Sequence, residues 1–247
     1  MIKLNKNTSQ LPIIIAHRGA SAYAPENTMA AFETAVKMKA DMIELDIQLT
    51  SDGHWVVIHD SSLKRTCGVR KKVQSLPLAQ IKELDAGAWF SPQFSGETVP
   101  TLEELLTWAK DKISLNLEIK GKIKKNSPAI PSLLKTLSVY KIKKNVILSA
   151  FDWKVLRRIR VYDKNVAIGV LVNHQPQTRY LKEALELKAF SINLPPRKIG
   201  KSLPRKIQNL KMVLYVYTLN SLPQIHRYLQ MGIDGYFTNF PDLPLKK

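Results

Sequence analysis

The sequence predicts an α/β fold in which eight βα units close into a barrel, with a small insertion after the second strand. Three observations predict it. Short apolar runs alternate with helical patterns along most of the chain, and alternating β and α units build a parallel sheet. The length, 247 residues, matches the about 250 residues that eight such units take. No glycine-rich dinucleotide fingerprint follows the first strand, which argues against an open doubly wound sheet.

Residues 12–16 read as a buried strand, and 17–26 as a loop carrying Gly19 and Pro25. Asn27 is expected to cap a helix whose apolar face is Met29, Phe32, Ala35 and Val36. The second strand covers 41–49. Ser51, Asp52 and Gly53 make a hairpin turn, and 55–58 return from it. Periodicity is then lost between 60 and 100, where Pro77, Gly87, Pro92, Gly96 and Pro100 surround one short helical pattern near 78–84. This is the insertion, a cap spanning 50–100. Thr101 and Glu104 form a capping box ahead of Leu105, Leu106 and Ala109. Strands follow at 115–119, 145–149, 166–171, 190–194, 212–217 and 234–237. One intervening helix starts near Asp152 and is expected to bury Val155, Leu156, Ile159 and Tyr162. The last starts at Asn220, uses Leu222, Ile225 and Leu229, and stops at Gly232. The chain, 1–247, reads as a single domain.

Composition narrows the function classes. A hydrophobic content of 45% is that of an ordinary globular protein. Cys67 is the one cysteine, so no intramolecular disulfide forms, which fits a reducing compartment. No stretch approaches the roughly 20 apolar residues of a membrane span, and the apolar run 11–16 is too short for a signal-peptide core. A soluble, cytoplasmic protein is expected. The formal charge of +18 is the outlying number. Basic clusters recur at 70–72, 122–125, 141–144 and 246–247. They read first as a solvated surface, and second as an attraction for anionic substrates or for peripheral contact with an anionic membrane. No zinc-finger spacing or RNA-recognition signature accompanies them, so no nucleic-acid partner is expected.

In a βα barrel the chemistry sits at the C-terminal ends of the strands, and the polar outliers fall there. His17 and Arg18 end the first apolar run. Glu44 and Asp46 lie two apart on the second strand, hence on one face. His59 closes the hairpin, Glu118 and Lys120 end the next strand, and Asn239 follows the last. Burying an unpaired carboxylate costs several kcal/mol, so a cation must receive these. Three carboxylates with few histidines suit a hard divalent cation, Mg²⁺ or Ca²⁺. Arg18 and Lys120 beside it suit an anionic phosphoryl group, and two histidines supply a general acid and a general base. The combination reads as metal-assisted phosphoester cleavage. His54, His174 and His226 read as surface or structural residues.

The stretches His17-Arg18-Gly19, Pro25-Glu26-Asn27-Thr28, Glu44-Leu45-Asp46 and His59-Asp60 resemble the glycerophosphodiester phosphodiesterase family. So do Leu63 to Gly68, Pro100 to Glu104, Leu117 to Lys120 and Gly232 to Pro241, and the resemblance runs from 13 to 242. It implies a TIM (β/α)8 barrel with an insertion after the second strand. It implies hydrolysis of small-molecule glycerophosphodiesters, such as glycerophosphocholine, to sn-glycerol 3-phosphate and an alcohol, with a divalent cation. The implied ligands are Glu44, Asp46 and Glu118; the implied acid/base pair is His17 and His59, in either order. Arg18 and Lys120 would hold the phosphate, and Asn239 would line the substrate site. Tyr217 stands where the family often has Trp, and keeps an aromatic wall for the glycerol moiety. Cys67, often Thr in the family, reads as neutral. The attacking group is a glycerol hydroxyl, through a cyclic phosphate, or water. A phospholipase D-type enzyme acting on lysophospholipids is the alternative; Trp89, Phe90 and Phe94 would then rim its bilayer-facing side, and otherwise form the core of the cap. A non-enzymatic barrel would have lost the ligands, and all seven matched positions are present.

Overall fold

Alternation along each strand sends one set of side chains into a barrel and the other outward against helices. In the computed structural model, which describes residues 12–124 and 126–243, strand β1 (Ile13–His17) pairs in parallel with β2 (Met42–Leu49) and with β9 (Gly235–Thr238). The order continues from β2 through β4 (Ser114–Ile119), β5 (Val146–Ala150), β6 (Ala167–Leu171), β7 (Ser191–Leu194) and β8 (Val213–Val216) to β9, so eight parallel strands close into a TIM barrel. Strand β3 (Trp55–Val57) lies outside that ring, antiparallel to the far end of β2, with Ile47 opposite Val57 and Leu49 opposite Trp55. The polar stretch 1–10, Leu11 of the apolar run, Lys125 and 244–247, with the basic pair 246–247, fall outside the described residues.

Helices α1 (Met29–Lys37), α4 (Leu102–Ala109), α5 (Ala129–Val139), α6 (Trp153–Tyr162), α7 (Gln177–Glu186), α8 (Leu203–Asn209) and α9 (Leu222–Gln230) surround the ring, while α2 (Lys64–Cys67) and α3 (Leu78–Lys82) belong to the insertion. Ala16, Ile43, Leu45, Leu115, Leu117 and Leu148 point outward into the main core with the helices' apolar faces. Inside the ring, Ile13, Ile15, Met42, Ile147, Tyr215 and Phe237 form a separate apolar plug. Two residues further along several strands, the same inward face carries His17, Glu44, Ser149 and Tyr217. The plug thus supports the mouth, and one alternation pattern builds both. Among the described residues, no helix is long and apolar enough to cross a membrane.

The structure corrects three local expectations. Thr28, not Asn27, caps α1, its Oγ1 accepting from Ala31 N at 3.3 Å; Asn27 is turned inward by a left-handed backbone (φ +59°) and serves the site instead. Tyr162 is 60% exposed, because the stripe of α6 that packs on the barrel closes at Ile159 and Tyr162 stands a turn beyond it. The core of the insertion is aliphatic, made of Val56, Ile58, Leu63, Val73, Leu76, Ile81, Ala86 and Val99. Trp89, Phe90 and Phe94 are not part of it; they stack edge-to-face in series, with centroids 5.8 and 5.7 Å apart. The capping box at Thr101 and Glu104 forms as expected.

Candidate active site

The pairing register assembles the acidic residues. It sets His17 beside Glu44, Asp46 beside Glu118, and Glu118 beside Ser149. One carboxylate oxygen from each of Glu44, Asp46 and Glu118 lies within 4.8 Å of the other two. All three are at most 9% exposed. Burial, with Asp46 and Glu118 adding repulsion, pushes the Glu44 carboxyl well above the usual carboxylate range. Burial and then Asp46 push Glu118 up to about 7. Lys120 Nζ offsets part of this, 2.8 Å from Glu118 Oε1 and 3.7 Å from Asp46 Oδ1, and Arg18 Nε lies 3.4 Å from Asp46 Oδ2. Two cations against three carboxylates leave one negative charge, and a bound phosphodiester adds another. A divalent cation cancels both, so the donor set fits one.

The β1 loop is shaped by close approach. Gly19 has φ +82°, and a Cβ there would lie 2.7 Å from the backbone of Ala31, so only glycine fits. Arg18, also left-handed, donates its backbone N–H to Glu44 Oε2 at 3.0 Å and NH1 to Glu26 Oε1 at 2.9 Å. Asn27 Nδ2 donates to Asp46 Oδ2 at 2.9 Å while its Oδ1 accepts from Asp46 N at 3.2 Å. These bonds orient the metal-candidate carboxylates from behind.

His17 Nδ1 lies 2.8 Å from Asn239 Oδ1. That acceptor puts the proton on Nδ1 and leaves the Nε2 lone pair free. Burial and then the Arg18 charge pull His17 down to about 4, so its ring is neutral near pH 7. His59 is held differently. Ile58 N donates to Asp46 O at 2.9 Å, and buried Gln48 Nε2 reaches the carbonyls of Ile58, His59 and Asp60 at 3.0, 2.9 and 2.8 Å. These fix the backbone. His59 Nδ1 then donates to Asp60 Oδ1 at 2.7 Å. Asp60 Oδ2 accepts from Arg65 Nε at 2.7 Å, which with the His59 bond keeps Asp60 at about 2. The other Arg65 nitrogens grip both oxygens of Glu26, at 2.9 and 2.7 Å. A chain of alternating charge therefore runs from Arg18 through Glu26, Arg65 and Asp60 to His59.

His17, Arg18, Glu44, His59, Glu118, Lys120 and Tyr217 line one cavity of about 210 Å³. Asp46 and Asn239 stand behind it, in contact with Arg18 and Lys120, and with His17. Tyr217 donates its hydroxyl to Val172 O at 2.6 Å, and its ring meets Phe151 and Phe237 edge-on at 6.1 Å each. Ser149, Phe151, Leu171 and Phe237 complete the lining. A larger hollow of about 360 Å³ lies between α6 and α7, sharing only Phe151 and lined by exposed Arg157 and Lys182 and by buried Glu183, which pairs with Arg157. Its lining holds no histidine, and its carboxylates Asp152, Glu183 and Glu186 do not converge on one point as those of the barrel mouth do. His54, His174 and His226 are exposed, away from the site. Glu26, Asp60 and Arg65 stand within the motifs without an expected task, and Asn27 carried only that of a helix cap. Only Asp60 closely follows an apolar strand; Glu26, Asn27 and Arg65 reach the site through the fold of the loops. Gln48, Ser149 and Phe151 carried no such signal.

A model of the glycerophosphoryl diester phosphodiesterase family matches residues 17–243. A Bacillus subtilis protein named glycerophosphodiester phosphodiesterase is 36% identical, with 94% of this chain and 84% of that protein covered. One of the same name from Caldanaerobacter subterraneus is 36% identical, covering 93% and 95%. Among solved structures, an Oleispira antarctica phosphodiesterase in complex with the product sn-glycerol-3-phosphate superimposes with a TM-score of 0.88 at 27% identity, covering 94% of each chain.

Proposed function

This chain belongs to the glycerophosphoryl diester phosphodiesterase family, and from that premise we propose that it hydrolyses glycerophosphodiesters to sn-glycerol 3-phosphate and an alcohol. The observation that carries the proposal is convergence: three buried carboxylates, the cations of Arg18 and Lys120 and two differently held histidines meet in and just behind one cavity at the C-terminal mouth of the barrel. Glu44, Asp46 and Glu118 would hold a divalent cation, Mg²⁺ or Ca²⁺, which when bound neutralises charge on the phosphoryl oxygens.

The chain's own residues divide the remaining work. Arg18 and Lys120 hold non-bridging phosphate oxygens. Tyr217 and Phe237 wall the glycerol carbons. His17, neutral and with Nε2 free, takes the proton of the attacking hydroxyl, whether water or a glycerol hydroxyl. His59, held through Nδ1 by Asp60, gives its Nε2 proton to the departing alcohol. The phosphorus–oxygen bond to the alcohol breaks, and the proton removed at His17 balances the one delivered from His59; where a glycerol hydroxyl attacks, water then opens the cyclic phosphate with the two histidine roles reversed.

The test compares glycerophosphocholine with the nitrophenyl diester of glycerol 3-phosphate, whose leaving group needs no protonation. His17→Ala should lose roughly 10²- to 10⁴-fold in kcat on both, the range for deleting a general acid or base. His59→Ala should lose as much on glycerophosphocholine and recover most of it on the nitrophenyl ester. Equal losses for His59→Ala on both substrates would overturn the division of roles.

A further inference from the structure

Six large apolar side chains are exposed among the described residues: Trp89, Val139, Phe151, Val161, Tyr162 and Leu185. Two of them flank the catalytic mouth: Arg65 lies 5.6 Å over the Trp89 ring, and Phe151 lines the cavity. The other four gather elsewhere. Val139 ends α5, Val161 and Tyr162 end α6, and Leu185 lies in the last turn of α7, with exposures of 65%, 78%, 60% and 51%. These are consecutive helices, and their C-terminal ends lie at the N-terminal end of the barrel strands, opposite the catalytic mouth.

Hydrogen bonds tie the three helix ends together. Lys143 Nζ, in the segment after α5, bonds Asp163 Oδ2 after α6 at 2.9 Å. Arg160 Nε donates to Leu187 O at 2.8 Å, and its NH2 reaches Lys188 O at 3.4 Å. Exposed lysines share these helix ends: Lys135 and Lys182 lie one turn before Val139 and Leu185, and Lys141, Lys144, Lys164 and Lys188 follow α5, α6 and α7. The carboxylates nearby are engaged. Asp163 takes Lys143 and two backbone N–H groups, Glu186 sits 3.9 Å from Lys182, and buried Glu183 pairs with Arg157.

Exposed aliphatic and tyrosine side chains on helix ends that also carry exposed lysines match an anionic bilayer surface, where apolar groups enter the headgroup boundary and ammonium groups meet lipid phosphates. A second copy of the chain fits poorly, since it would bring two lysine clusters of a +18 protein face to face. We propose that the ends of α5, α6 and α7 form a docking surface for anionic lipid bilayers. Docked this way, the protein turns its catalytic mouth toward the aqueous side. Resting on the activity proposed above, this makes the substrate a water-soluble diester already freed from lipid, and disfavours a lysophospholipid still held in the bilayer.

The test is co-sedimentation of the full chain with vesicles of equal phosphatidylglycerol and phosphatidylcholine, and with phosphatidylcholine alone, at low and high salt. Binding should favour the anionic vesicles at least tenfold and weaken with salt. The variant with Val139, Val161, Tyr162 and Leu185 all changed to Ser, and the variant with Lys141, Lys144, Lys164 and Lys188 all changed to Gln, should each lose at least tenfold in partitioning. Both should keep wild-type circular dichroism and wild-type hydrolysis of glycerophosphocholine. Trp89→Ser, at the opposite end, should bind like wild type. Equal binding to both vesicle types, unaltered binding by both multiple variants, loss of binding in Trp89→Ser, or a dimer in sedimentation that the serine variant dissolves would each overturn the proposal. Bilayer binding without hydrolysis would leave the docking surface standing and remove the activity.

Discussion

Replacing Glu118 with Gln should stabilise the metal-free protein. Ionised, Glu118 sits buried within 4.8 Å of two other carboxylates, and its carboxyl is pushed from 4.5 up to about 7. A tenfold change in proton affinity is worth about 1.36 kcal/mol, so ionisation in the folded state costs roughly 3 kcal/mol. Because the folded-state value lies above the unfolded one, stability is full below about pH 4.5 and falls as pH rises through about 7. At pH 8 the loss is complete. Glu118→Gln removes it, at the expense of the 2.8 Å contact with Lys120, which keeps Asp46 at 3.7 Å. The expected gain is about 2 kcal/mol, or about 4–8 °C in Tm for a chain of this size. Thermal denaturation in EDTA measures it at pH 8, and the difference should vanish at pH 5. With excess Mg²⁺ or Ca²⁺ the order reverses: a cation at a hundred times its Kd adds about 2.7 kcal/mol to wild type and little to the variant. A Gln variant less stable than wild type in EDTA at pH 8 would refute the repulsive cluster and the cation site inferred from it.

Arg65→Met should lower kcat by about 10- to 100-fold with a smaller change in KM, because Arg65 braces His59 through Asp60 and Arg18 through Glu26; Asp60→Asn should act alike, and the double variant should be no worse than the more impaired single, a non-additivity that a steady-state double-mutant cycle measures. Gly19→Ala should destabilise by about 3 kcal/mol or more in denaturant titrations, since it demands a left-handed alanine whose Cβ meets Ala31 backbone at 2.7 Å. The rate constant kcat/KM for anionic diesters should fall steeply with ionic strength while kcat holds, since a +18 chain attracts them over long range.

Much of the site was legible because its residues break a pattern. A carboxylate inside an apolar strand is costly enough to announce itself, and Glu44, Asp46 and Glu118 did so. His17 and His59 announced themselves by ending apolar runs. The barrel was legible for the same reason, since its eight parallel strands are apolar on both faces and stand out from the helical spacing between them. What escaped were residues whose tasks depend on distance in space. Asn27 looks like a helix cap until the left-handed turn points it at Asp46. Arg65 looks like one more cation in a basic chain until the insertion folds back and sets it between Glu26 and Asp60. Gln48 follows the strand's alternation and gives no sign that it pins three carbonyls behind His59. Tyr162 has the right spacing for burial, and only the point where α6 ends decides that it is exposed.

The most direct test of the account is release of glycerol 3-phosphate from glycerophosphocholine, measured with Mg²⁺, with Ca²⁺ and with excess EDTA, for wild type and for Glu44→Ala. Turnover is expected with at least one of the cations, abolished by EDTA and restored by adding the cation back, with the Glu44→Ala protein folded and inactive. Turnover that persists in EDTA, or in folded Glu44→Ala at the wild-type rate, would contradict it.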